Sequence, residues 1–536
     1  MSNWCRTPAW TTFAVISTLL TSRLSAQRGP GVPIRVDELT IAQIHSALKA
    51  GSLSCRGLVD AYLQRIDAYD KQGPAINAIV VLNPGAREEA TALDRRFSTS
   101  GFAGPLHCVP AIVKDNFETI GLQSAAGSLA LKGFVSTRDA FQVKKLKDAG
   151  AIVLAKSNMA EWAFTPYETV SSILPGYTKN PYALDRATAG SSGGTAAAVA
   201  ANFGAIGLGS DTGNSIRGPS SHQALVGIRS TMGLTSRAGV VPLNLLADIA
   251  GPMTRTVEDA VAVFQVIAGD DPADPITIDG SPMEPFRPAG KPAAIPVYGS
   301  ALRRDGLKGA RIGVLRQAYE RDTTDPEIIQ VFMNALDAMR KAGAVIVDPA
   351  PVPVDTIKRD TSPGTCGGFK YDINRYLAGH GDRVPVKSLA EIIKSGQFHP
   401  SVQRRLEQSQ GGSENGPDTA ACKAEAEYRQ QVRKAVTDVM ETMQLAAFVY
   451  PTWSNPPRLI GDLNTPHGDN SQFFSPTTGF PSIQVPMGYT RDGRLPAGIT
   501  FFGRAWDEST LIALAYSFEQ HTKHRHPPGA TPELGS

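Results

Sequence analysis

Two glycine-rich turns carry the hydroxyls whose placement suggests chemistry. Residues 188–229 read TAGSSGGTAAAVAANFGAIGLGSDTGNSIRGPSSHQALVGIR. Ser191 and Ser192 sit in the first turn, Gly190 to Gly194, and Ser215 closes the second, which begins at Asp211. One alanine-rich helix and one strand lie between them, a return path that lets the two serine sites face each other. Such turns aim successive backbone N–H groups at one point, which suits an anion or a developing oxyanion. A serine hydroxyl is a weak nucleophile and needs a base beside it.

Other glycine- and serine-based chemistries fit less well. The first turn has neither GxGxxG nor GxxxxGK[ST], which argues against a nucleotide cradle. Arg217 stands where an α/β-hydrolase elbow, GxSxG, requires glycine. Ser46 to Lys49 match SxxK, but on an amphipathic helix, and no KTG triplet accompanies them. His521, His524 and His526 lie in a proline-rich tail and HExxH is absent, so no metal site and no cofactor are expected.

The elements that must hold these turns alternate along the chain. Short apolar runs predict strands near 76–82, 109–113, 152–155, 205–209, 226–229, 312–315, 344–347, 447–450, 483–486 and 499–502. Helices are predicted over 37–72 as a pair, and near 139–149, 193–202, 257–268, 325–342 and 507–521. The expected fold is α/β, a single large domain whose central mixed sheet has helices on both faces. The stretches 281–297 and 409–417 read as surface loop insertions rather than linkers.

The chain has 536 residues, 42% apolar and 19% charged, with a formal net charge of +3. That length buries a large core, and that charge argues against nucleic-acid binding. Residues 1–26 read as a cleavable signal peptide: Arg6, an apolar stretch from Phe13 to Leu20, and small residues ending at Ala26. The stretch is too short to span a bilayer, so no stable membrane insertion is expected, and residues 27–536 remain as the mature domain, secreted or periplasmic. Cys55, Cys108, Cys366 and Cys422 are either up to two disulfides or small buried core residues.

Taken with Val109 to Asn116 (VPAIVKDN), the runs 190–194 and 209–217 resemble the amidase signature family of Ser–Ser–Lys amidohydrolases. The likeness extends over about 37–528 and includes Pro481 to Pro486 and Gly498 to Gly503. It implies Ser215 as nucleophile, Ser191 as a bridging serine on a cis peptide, and Lys114 as base. It also implies an oxyanion hole from the N–H groups of Thr212, Gly213, Asn214 and Ser215, supported by Ser192, Asp211 and Arg217. Asn214 and the run Gly218 to His222 depart from the family's commoner residues. On its own, Lys114 also reads as a surface lysine paired with Asp115. As a base it must be neutral, and lowering its pKa from ~10.4 to roughly 7–8 costs about 4 kcal/mol.

The function expected is hydrolysis of the C–N bond of a small amide through an acyl-enzyme. Carbamate or aryl-amide hydrolysis on the same residues is the alternative, and a non-catalytic amidase-like binding protein the third. Residues 453–480 read as a substrate-lining loop in which Trp453, Phe473, Phe474 and Phe480 suit an apolar acyl group.

Overall fold

Eleven strands form one mixed sheet in a computed structural model that describes residues 1, 35–414, 416, 419–472 and 474–534. The strands are β1 (Ile79–Leu82), β2 (Pro110–Lys114), β3 (Ile152–Ser157), β4 (Lys179–Asn180), β5 (Ala183–Ala187), β6 (Ile206–Asp211), β7 (Val226–Arg229), β8 (Ile249–Thr254), β9 (Arg311–Val314), β10 (Val345–Val347), β11 (Ala447–Pro451), β12 (Ser482–Thr490) and β13 (Leu495–Phe502). Their order is β1-β3-β2-β6-β8-β7-β12-β13-β11-β9-β10, and β4 and β5 make a separate ribbon. The pairs β3–β2, β2–β6, β11–β9 and β9–β10 are parallel, and the others antiparallel. The segment 1–26 expected to be a signal peptide lies, bar its first residue, outside the described residues.

Strand β8 runs through Gly251 and Pro252, residues that ordinarily argue against a central strand. It nonetheless lies between β6 and β7, with all six residues buried. Burial on both faces outweighs local propensity here.

Helices flank the sheet. Gly193–Ala200 and Arg217–Ser221 touch each other and pack on the strands around β6, β7 and β12. Phe141–Asp148, Val257–Ile267, Glu508–Thr522 and Pro326–Lys341 form a second contiguous layer. The helix Gly193–Ala200 carries no side chain larger than valine, so it can sit close to β2 and β6. A Cβ on Gly194 would lie 2.1 Å from the Asn158 carbonyl oxygen, which is why that position excludes any side chain.

The helices Phe369–Ala378, Leu389–Ser395 and Gln403–Gln410 join a second apolar cluster with Trp162, Phe164 and Leu243. Val241 of this cluster donates its N–H to the carbonyl of Asn116, two residues past the end of β2. Cysteine pairs Cys55–Cys108 and Cys366–Cys422 are disulfides, with Cα separations of 5.2 and 4.5 Å. The second joins the two ends of the segment that carries those three helices.

Candidate active site

Lys114 is the last residue of β2, a strand buried along its whole length. Its Nζ is hydrogen-bonded to Ser191 Oγ at 2.7 Å, Ser210 Oγ at 2.9 Å and the Ser210 carbonyl at 3.4 Å. Burial drives its pKa down to about 7, against the weaker opposing pull of Asp211 and Asp248. The surface pairing with Asp115 does not occur. Asp115 turns the other way, accepts the Gly127 N–H at 2.9 Å, and faces Lys156 of β3.

Ser191 follows a cis Gly190–Ser191 peptide and is fully buried. Ser192 ties the two turns together. Its Oγ donates to the Ser210 carbonyl at 3.1 Å and accepts the Ser210 N–H at 3.3 Å, and its own N–H donates to the Ser215 carbonyl at 3.3 Å. Ser215 reaches the surface with 5% of its area.

The turn before Ser215 is held from below. Asp211 is buried between Arg217 and Arg229, at 3.1 and 3.0 Å. Burial alone would push its carboxyl up, but the two guanidinium groups outweigh this and hold it down at about 2. Both arginines also take carbonyls of the turn: Arg229 that of Asp211, and Arg217 that of Gly213 at 2.6 Å. The Asn214 carbonyl accepts from the Gly218 N–H at 2.7 Å. With these carbonyls drawn inward, the N–H groups of Thr212, Gly213, Asn214 and Ser215 make no hydrogen bond to any described residue. Four free donors in succession are an arrangement suited to an anionic oxygen.

A cleft of about 160 Å³ opens at Ser215, walled by Phe164, Leu243, Pro476, Gln472 and Arg405. The aromatic residues expected there lie elsewhere. Trp453 is buried, donates from Nε1 to the Gly218 carbonyl at 3.1 Å and stacks on His222. Phe474 and Phe480 are core residues against Phe502, and Phe473 lies outside the described residues. The physical reason is that a proline- and asparagine-rich segment need not be solvent-facing when its aromatic rings complete the sheet's own core. The segment 453–480 does reach the cleft, but through Gln472 and Pro476 rather than its aromatic rings, and Phe164, Leu243 and Arg405 come from parts of the chain that no spacing rule marks.

His222 is buried against Trp453, and burial holds its ring neutral, its pKa down at about 3. His107 lies beside the Cys55–Cys108 bridge. Among the described residues the one gathering of metal-type side chains is Cys55, His107 and Cys108, whose two thiols are spent on each other. No helix among those residues is long and apolar enough to cross a membrane.

The amidase family matches residues 57–512. A probable amidase of Arabidopsis thaliana is 33% identical over 92% of both chains. A glutamyl-tRNA(Gln) amidotransferase subunit of Moorella thermoacetica is 32% identical, over 93% of this chain and 99% of its own. The crystal structure of the peptide amidase of Stenotrophomonas maltophilia superposes with a TM-score of 0.80 at 36% identity, covering 92% of this chain and 99% of that one. Motifs, sheet and relatives agree along nearly the whole chain, which belongs to the amidase signature family and is an amide-hydrolysing enzyme.

Proposed function

We propose that the enzyme cleaves amide C–N bonds through an acyl-enzyme on Ser215, with Ser191 and Lys114 as its proton relay. The observation that carries this reading is the buried Lys114 amine, 2.7 Å from Ser191 Oγ and titrating at about 7. At neutral pH such an amine is free about half the time and can accept a proton, which an ordinary lysine cannot.

In the first half-reaction the Ser215 hydroxyl attacks the substrate carbonyl carbon. Its proton passes to Ser191 Oγ, and the Ser191 proton passes to Lys114 Nζ. The N–H groups of residues 212–215 receive the oxyanion, a contribution of roughly 10²–10³ in rate. Collapse breaks the C–N bond, and the relay runs backwards to protonate the departing nitrogen, which leaves as ammonia or an amine. Water then attacks the acyl-enzyme by the same proton route and releases the carboxylic acid.

The likeness to a peptide amidase makes peptide amides the first substrates to test, with anilides and carbamates as comparisons. We also propose export to an oxidising compartment: a leader-like segment at residues 1–26 precedes a domain whose four cysteines pair in two bridges. The test of the reading is a fluorophosphonate probe followed by peptide mass mapping. The expected adduct is on Ser215 and is absent from Ser215→Ala; an adduct on another residue, or none on folded protein, would overturn it.

A further inference from the structure

Beyond Ser210, a neighbour of the Lys114 amine, lies a small cavity of about 10 Å³, lined by Asn116, Ser210, Thr212, Arg237 and Asp248 among others. A single water needs roughly this much space and two to four polar partners. Two of the lining groups have unmet hydrogen-bonding capacity. Ser210 Oγ accepts from Lys114 Nζ at 2.9 Å and from Asn116 Nδ2 at 3.0 Å, so both lone pairs are used and its own proton still needs an acceptor. Asn116 is 2% exposed, and its Oδ1 has no partner. The Val241 carbonyl, 3.5 Å from the other amide atom, identifies that atom as the nitrogen.

We propose that this cavity binds one water molecule, which accepts the Ser210 hydroxyl proton and donates to Asn116 Oδ1, and thereby aims the Lys114 lone pair at Ser191. The argument for the second part is an inventory of protons. An ammonium has three protons for its three neighbours, Ser191 Oγ, Ser210 Oγ and the Ser210 carbonyl. A free amine has two, and its lone pair must receive a proton from one of the two hydroxyls, because a carbonyl has none to give. With the Ser210 proton committed to the water, the remaining donor is Ser191, which is the direction the relay requires. Asn116 and Ser210 are then positioning residues. The effect on activity rests on the Ser–Ser–Lys reading, whereas the water site stands on the cavity and its unmet partners alone.

The charged groups around the amine are Asp211 with Arg217 and Arg229, Asp248 with Arg237 and Asp274 behind it, and the pair Asp115 and Lys156 across β2 and β3. None of these changes in Asn116→Leu, which at similar volume removes the acceptor and also the Nδ2 donor to Ser210 Oγ. Without the water the Ser210 proton turns to the lysine. The free amine is then favoured but points away from Ser191. The expected result is a kcat lower by about tenfold with KM within about twofold, and an acid limb of kcat/KM displaced to lower pH by roughly half a unit. Adding Ser210→Ala removes the competing hydroxyl, so the double variant regains activity over Asn116→Leu. A merely structural role for Asn116 predicts further loss instead. A high-resolution crystal structure of the unaltered enzyme must show one water within hydrogen-bond distance of Ser210 Oγ and Asn116. A cavity without density overturns the site even if Lys114→Met is inactive; an unmoved limb in Asn116→Leu, or a double variant no better than it, overturns the positioning role.

Discussion

Replacing Lys114 by methionine should make the protein more stable while removing its activity. The wild-type amine titrates at about 7 when folded, against 10.5 for an ordinary lysine. At ~1.4 kcal/mol per tenfold, holding it in the folded chain costs roughly 4 kcal/mol at pH 7. Methionine has a similar length and no charge to desolvate. It leaves Ser191 Oγ and Ser210 Oγ each short of one hydrogen bond, at about 1 kcal/mol apiece, while the Ser210 carbonyl keeps the bond from Ser192 Oγ, so the net gain at pH 7 is about 2 kcal/mol. The sign with pH follows from proton binding. Between about 7 and 10.5 the unfolded wild type holds a proton that the folded one lacks, so wild-type stability climbs with pH by up to ~1.4 kcal/mol per unit. The variant has no such group, and its advantage shrinks over the same window. Urea unfolding of both proteins at pH 7, 8 and 9 measures this. A stability difference that stays constant from pH 7 to 9, or a wild type that loses ground to the variant as pH rises, would refute a buried, depressed lysine.

Two further substitutions probe the turns. Ser191→Ala interrupts the proposed relay and should lower kcat by at least about 10²-fold with little change in KM, checked by steady-state kinetics; a rate within about tenfold of wild type shows that Lys114 reaches Ser215 without it. Gly218→Ala puts a Cβ 2.2 Å from Asn214 Nδ2. The buried Asn214 side chain must shift beside the nucleophile, so kcat/KM should fall by about tenfold while circular dichroism is unchanged; undiminished kcat/KM would show that the seat of this side chain does not matter to turnover.

How far the sequence foretells this molecule depends on whether a feature is local. The turns at 190–194 and 211–215 are legible because glycine and serine runs of that kind have few other uses, and the buried end of β2 is legible from the apolar run ending at Lys114. Strand β8 is missed because Gly251 and Pro252 carry the local signal of a turn, and only its neighbours β6 and β7 make it a strand. No helix between 343 and 506 is singled out, yet Phe369–Ala378, Leu389–Ser395, Gln403–Gln410 and Ala420–Thr442 all form. Gln403–Gln410 buries one residue, Leu406, so its sequence reads as surface although Arg405 reaches the cleft. Trp453, Phe474 and Phe480 show the converse, aromatic residues of a loop-like segment that serve the core rather than a substrate. The segment 453–480 does supply Gln472 and Pro476 to the cleft, whereas the walls from 164, 243 and 405 are a product of tertiary packing, to which no one-dimensional pattern corresponds.

The pH dependence of kcat/KM in wild type, Lys114→Met, His107→Ala and His222→Ala tests the relay most directly. A neutral Lys114 is required for proton acceptance, so wild-type log kcat/KM should rise with a slope of one from acid pH and level off above its pKa of about 7. His222, held neutral down to about 3, and His107, beside the disulfide, have no part in the proposed relay, so both histidine variants should keep that limb. Lys114→Met should lose the limb along with most of the rate. An acid limb that persists unchanged in Lys114→Met, or that vanishes in either histidine variant, would contradict the Ser–Ser–Lys assignment.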